Sequence, residues 1–446
     1  MSKLVISAPT SLSGRLKYLG PGVLVAGSVV GSGELILTSS LGAAVGFGLL
    51  WFLLLACWSK SIVQASLAKL CVLRNATFLN IFNEIPGSFP GRYRRGSWVV
   101  WFFFLGSTLT IAGVGGILGG AAHAVNLFNT DISTTVAATV ITTICSLLVG
   151  AGSYRLLESL LMIIVSLFTA ISMYCAIALQ FTDYSVTLGQ VVAQQTFQID
   201  MAYLAIAAAV FGYTGVNSNE TIAYSYFVLD KGYAKNVGET DTPEGIVRAR
   251  GWLRVLRADV WLTLVLLTLS TVPFYFLSAG VLHEMGLIPE NSNMLTVISA
   301  MYTEVLGAWA ADLFIVGAFL VLFSTVIGAL AADCRLLPDY LIETGFLRND
   351  PDLRRRWIRA AGYLYPFLYL GIFLFFDNPL TLVIVGALFT ATLGPVLILG
   401  ILYIEKTRLV PELRLGVSAK TLMYVALLLV SAVSAALLYF ALSARF

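Results

Sequence analysis

Apolar residues in this chain come in blocks of about 20, the length a helix needs to cross a bilayer, with short polar connections between them. Eleven blocks can be placed, centred near Val30, Ala56, Ile111, Thr142, Phe168, Tyr213, Leu266, Gly317, Leu368, Thr390 and Val430. The eighth is read as 305–328. Longer polar stretches fall at 74–96, 230–257 and 333–356, and outer segments 183–200 and 283–293 have room for short surface helices. The pattern predicts an all-α polytopic membrane protein with no soluble domain.

Two blocks are interrupted. Residues 20–35 hold five glycines, Ser28, Ser32 and Glu34 inside an apolar run. Glycine costs a helix about 1 kcal/mol relative to alanine, so Gly31-Ser32-Gly33 predicts a break. A mid-membrane break frees backbone groups that hydrocarbon cannot satisfy, and it survives only against protein or a water-filled cavity. Two readings of Glu34 stay open. It is either an intramembrane functional carboxylate or a first-turn acid favoured by a helix N-terminus, in a segment whose glycines serve close packing.

The sixth block repeats the pattern in Tyr213-Thr214-Gly215-Val216-Asn217-Ser218-Asn219-Glu220. Laying 30–36 over 216–222 aligns Val, Ser, Glu and Ile. The breaks lie five helices apart, an odd number, so the two segments cross in opposite directions. That is the arrangement of an inverted five-plus-five repeat with its binding site at the two discontinuous helices. The division expected is 1–181, 182–405 and a last helix in 406–446.

Composition agrees: 58% of residues are hydrophobic and 11% charged, against about a quarter charged in soluble proteins. Basic residues fall in alternate connections: Lys3, Arg15 and Lys17; Arg74 to Arg95; Arg155; Lys231 to Arg257; Arg335 to Arg356; Lys406 to Arg414. The intervening connections carry no Lys or Arg. By the positive-inside rule the N-terminus is cytoplasmic and the C-terminus outside. With compact loops and no targeting signal, a prokaryotic inner membrane is expected. Charges confined to short loops exclude nucleic-acid binding. The five cysteines are scattered singly, which predicts buried thiols, and His123 and His283 are too few for a histidine metal site.

The chemistry at the breaks is all oxygen. Carbonyls near Gly31 and Gly215, neutral oxygens of Ser32, Asn217, Ser218 and Asn219, and the carboxylates of Glu34 and Glu220 suit a hard divalent cation. Tyr213 flanks the second break, and Thr390 and Thr392 in the tenth span either face the site or bond their own helix. For Glu220 the alternatives are an ion pair or a place in the cytoplasmic vestibule. Lys60, near mid-membrane in the second span, either pairs with Glu34 or Glu158 or snorkels. Asp259, Asp312 and Asp333 are read as interfacial or paired, Arg359 as a headgroup anchor, and the glycines of 113–120 as close helix packing.

The chain resembles the Nramp (natural resistance-associated macrophage protein) divalent-metal transporters. Gly20-Pro21-Gly22 resembles the Gly-Pro-Gly that opens that family's first helix; Leu50-Trp51 through Gln64, Ala68 and Lys69-Leu70 resembles its second; 305–328 more loosely resembles its eighth. The resemblance implies a LeuT-type fold of ten helices in two inverted repeats plus an eleventh. The motifs diverge. Where the family has Asp-Pro-Gly-Asn, this chain has Gly31-Ser32-Gly33-Glu34. Where it has Met-Pro-His-Asn, the chain has Asn217-Ser218-Asn219-Glu220, or, one residue earlier, a register that keeps the asparagine as Asn219. The soft methionine ligand and the proton-linked histidine are absent, and the third span has no carboxylate for a proton route. These losses imply Mg²⁺ or Mn²⁺ as substrate ahead of Fe²⁺, carried by alternating access without proton coupling and with no cofactor. The competing reading is an amino acid or other small organic solute on the same fold, with Lys60 at the site. A membrane-embedded enzyme or scaffold is disfavoured, because no nucleophile–base pair, zinc motif or phosphate loop is found.

Overall fold

The computed structural model describes residues 6–29, 31, 33–88, 96–152, 155–291 and 293–443. Among them, nine helical segments are long and apolar enough to cross a membrane. One of these, Gly33–Arg74, is broken at Gly46, where φ is +58°, so it holds the end of the first predicted span and the whole second. The fourth span is shorter, at 17 residues, the lower end of what a bilayer requires. Each of the eleven predicted spans thus coincides with a helix, the first and sixth with helix pairs.

The first span comprises α1 (Pro21–Val29), a π-helical turn at Gly33–Thr38, and α2 (Ser39–Val45). Next come α3 (Leu50–Arg74), α4 (Trp98–Phe128), α5 (Thr134–Gly150) and α6 (Arg155–Ala178). The sixth span is α7 (Leu204–Tyr213) and α8 (Ser218–Asp230). Then follow α9 (Pro243–Leu277), α10 (Met294–Leu306), α11 (Ala310–Glu343), α12 (Pro351–Phe376), α13 (Pro379–Arg408) and α14 (Val417–Ser443).

Two boundaries differ from the sequence reading. α11 runs to Glu343 rather than ending near 328, so Asp333 sits inside a helix and not at its end. The charges in this extension are paired: Asp333 accepts from the Tyr369 hydroxyl at 2.8 Å, and Asp339 holds Arg354 at 2.6 and 3.0 Å. A paired charge no longer obliges the helix to stop at the membrane surface. Of the two outer segments, 183–200 holds a short helix, Leu188–Ala193, capped by Thr187 and Gln190. The described residues of 283–293 are turns and coil, and the helix comes after them, as α10.

The glycines of α4 do set close packing. A methyl at Gly113 would fall on the Tyr213 hydroxyl and within 3.1 Å of the Gly386 backbone, so α4 and α13 meet backbone to backbone around that ring. This contact fixes α7 against both helices. All five cysteines are buried thiols.

Candidate functional site

The two breaks lie side by side. Thr38 Oγ1 and Thr214 Oγ1 are 3.2 Å apart, and a methyl on Gly33 would approach the Tyr213 carbonyl oxygen to 3.3 Å. α7 ends because Thr214 turns extended and Gly215 takes φ +71°. A side chain at Gly215 would also meet the Cys57 backbone at 3.0 Å, so the position needs glycine twice over. α8 restarts at a capping box. The Asn217 side chain accepts from Glu220 N at 3.1 Å, and Glu220 Oε2 accepts from Asn217 N at 2.9 Å. At the first break, Leu35 N returns to Gly31 O at 2.8 Å, and a methyl on Gly31 would fall on Thr325 Oγ1. Ser32 lies outside the described residues.

Glu34 is fully buried, and its oxygens are taken by donors. Oε2 accepts from Gly31 N at 3.4 Å and Oε1 from Thr271 Oγ1 at 3.3 Å. One side chain therefore ties the first break to α9. It does not line the cavity described below, contrary to a reading of Glu34 as an open ligand in this conformation.

Lys60 neither pairs with Glu34 nor snorkels, and the Glu158 side chain lies outside the described residues. Its Nζ donates to the carbonyls of Thr214 and Gly212, at the C-terminal end of α7, and lies 5.4 Å from the centre of the Phe211 ring. The last carbonyls of a helix have no intrahelical donor, and the negative end of the helix dipole favours a cation there. Those two carbonyls are thus already engaged.

A cavity of about 120 Å³ opens beside the second break. Tyr213, Asn217, Asn219 and Glu220 line it from the sixth span, Thr325, Asp333 and Arg335 from α11, Thr110 from α4 and Thr390 from α13. Asn219 Nδ2 donates to Thr110 Oγ1 at 3.0 Å, while its Oδ1 is buried with no hydrogen-bond partner among the described residues. Glu220 Oε1 has no hydrogen-bond partner among the described residues. Asp333, which the sequence reading set at a span end, brings a second carboxylate. Arg335 donates to Ala331 O of its own helix at 2.9 Å. Among the described residues no three of His, Cys, Asp and Glu converge on one point. A cation here would meet at most two carboxylates, with amide and hydroxyl oxygens.

Three predicted residues fall elsewhere or act otherwise. Ser218 lines a separate small void with Lys60 and Val430, because it sits on the opposite face of α8 from Glu220. Thr392 bonds Phe389 O of its own helix at 2.7 Å and does not line the cavity. Thr390 lines it but also bonds its own helix, at Gly386 O, 2.9 Å away. Asp259, read as interfacial or paired, is buried on α9 and accepts from Gly20 N at 3.0 Å, Gly22 N at 2.7 Å and the Tyr224 hydroxyl at 2.8 Å. It pins the N-terminal end of α1 to α8 and α9. The Gly-Pro-Gly sequence carries two of those donors, but nothing in one sequence pairs them with a carboxylate some 240 residues away.

A family model described as natural resistance-associated macrophage protein-like matches residues 22–440. No curated protein sequence matches the chain. Among solved structures, a manganese transporter of Eremococcus coleocola, in complex with an aromatic bis-isothiourea substituted compound, superposes with a TM-score of 0.65 at 14% identity, over 96% of this chain and 88% of that one. Mhp1 in its inward-facing conformation gives 0.55 at 16% identity, over 98% and 94%. MhsT in complex with L-phenylalanine gives 0.57 at 14% identity, over 99% and 100%. At such identities the likeness establishes the fold: a LeuT-type inverted repeat with discontinuous first and sixth helices.

Proposed function

The chain belongs to the Nramp-like family, and on that premise we propose that it is a multi-pass transporter of a divalent metal cation, taking hard ions such as Mg²⁺ and Mn²⁺. The observation that carries this is the cavity at the second break, where Asn219 Oδ1 is unpartnered among the described residues and the carboxylates of Glu220 and Asp333 line the cavity from two helices. An all-oxygen donor set with water completing the shell suits a hard cation. Glu220 and Asn219 are the ligands proposed, with Tyr213 and Asn217 shaping the pocket and Asp333 as a way station.

The ends of the helices argue against an organic zwitterion. A substrate carboxylate on this kind of fold is met by free amides at half-helix N-termini. Here those amides are occupied by the protein's own acids: Gly20 and Gly22 by Asp259, Gly31 by Glu34, and Asn217 by Glu220. Lys60 is committed to carbonyls and does not line the cavity.

The cavity extends past Phe227 toward Arg335 and Leu336. In the orientation set by the basic connections this is the cytoplasmic side, so the conformation is inward-facing and belongs to an alternating-access cycle. Glu34 then joins the ion's shell when the breaks rearrange. Transport runs without protons, since the donor set lacks the family's histidine.

The test is Mg²⁺ and Mn²⁺ influx into proteoliposomes with internal pH recorded, wild type against Glu220→Gln. Flux lower by about tenfold or more in the variant, with a flat pH trace, supports the reading. A selectivity series led by Cd²⁺ contradicts the hard-ion assignment. Absence of influx of both ions in folded wild type returns the organic solute to first place.

A further inference from the structure

A second cavity lies away from the breaks. It is a groove of about 460 Å³ walled by α3, α9, α14 and the connection before α14. Its polarity is graded in the same sense on every wall. On α3 the lining runs from Trp58 and Ile62 to Lys69; on α9 it runs from Leu264 back to Arg257 and Arg250; on the third wall it runs from Leu422 back to Arg414. Seven residues separate Ile62 from Lys69 and Arg257 from Leu264, about 10 Å at 1.5 Å per residue. α3 and α9 pass through the groove in opposite chain directions, yet their basic ends coincide, with Lys69 and Arg257 lining the same end.

The charges at that end are unevenly matched. Lys69 is held by buried Glu405 at 2.7 Å. Arg250 donates to Glu412 O, Arg257 to Leu253 O and Arg414 to Leu409 O. All three are backbone carbonyls, and among the described residues none of the three arginines has a carboxylate within salt-bridge distance. Glu412, exposed at the rim, is the one acid on the lining itself. The apolar end opens outward, with Trp261 64% and Leu422 36% exposed on helices that span the bilayer.

We propose that this groove binds an anionic phospholipid, its phosphate among Arg250, Arg257 and Arg414 and an acyl chain along Ile62, Leu264 and Leu422. A soluble anion would use the arginines but leave the apolar half bare. A neutral lipid would fill the apolar half but leave three guanidinium groups without a counter-charge. Basic pockets between helices on the cytoplasmic side fit phospholipid headgroups for this reason. The lipid would join α3, which carries Lys60, to α9, which carries Asp259 and Thr271, and so brace both helices that hold the breaks. This holds whatever the transported substrate is.

The test is thermal unfolding of the full chain in phosphatidylcholine, with and without phosphatidylglycerol, together with native mass spectrometry of retained lipid. Phosphatidylglycerol stabilises the wild type and stays bound. The triple variant R250Q/R257Q/R414Q binds it about a hundredfold more weakly and loses the stabilisation. Ala419→Trp, which fills the apolar half and keeps every arginine, loses tight retention as well, and it decides the matter if the triple variant misfolds. Equal stabilisation of wild type by phosphatidylcholine alone, by inorganic phosphate, or persistence of the effect in Ala419→Trp overturns the proposal.

Discussion

Lys60 Nζ lies 2.5 Å from the carbonyl oxygen of Thr214, reaching from the second span to the broken end of the sixth. The charges at the centre of the protein are thus sorted by helix polarity. The cation sits on a helix C-terminus, and the carboxylates of Asp259 and Glu220 sit on helix N-termini, the arrangement the helix dipole favours.

Lys60→Met should leave the Gly212 and Thr214 carbonyls without their donor. Burying such groups unpaired costs about 1–3 kcal/mol, so the variant should melt lower than wild type when followed by tryptophan fluorescence in detergent. If instead stability is unchanged and only the apparent KM moves, Lys60 is a substrate contact and not a cap.

Asp259→Ala removes the acceptor for Gly20 N, Gly22 N and the Tyr224 hydroxyl together. The start of α1 should open locally, with hydrogen exchange of those amides faster by about tenfold or more. Unchanged exchange would mean that α1 is held by packing alone.

Gly31→Ala should abolish transport, because its methyl would fall on Thr325 Oγ1. That hydroxyl donates to Val321 O of its own helix and is cheap to lose. The double variant with Thr325→Ala should therefore recover most of the flux. Failure to recover would place the defect in the backbone of the break.

Asp333→Asn keeps an acceptor for the Tyr369 hydroxyl while removing a charge from the cavity wall. If Asp333 concentrates cations ahead of Glu220, the apparent KM for Mn²⁺ should rise roughly tenfold with maximal flux little changed, measured from the cytoplasmic face. An equal KM would make Asp333 a packing residue of α11 and α12.

The alternation of apolar blocks with polar connections was enough to place the spans, because a bilayer demands helices of one length and tolerates charge only at their ends. Glycine, asparagine and serine inside two such blocks marked both breaks for the same reason: uncovered backbone is too costly in hydrocarbon to occur by accident. What each polar group faces was decided only by the tertiary structure. Glu34 and Glu220 look alike in sequence, yet one is bonded to the Gly31 amide and the Thr271 hydroxyl and the other lines a cavity. Asp333 reads from the sequence as interfacial or paired; folding sets it inside α11 and supplies the Tyr369 hydroxyl, 36 residues away, as its donor. The arginines of the lipid groove read only as orientation signals until folding set them on one wall. Local pattern fixes how much polar backbone and charge a segment carries; partners distant in sequence fix how each is satisfied.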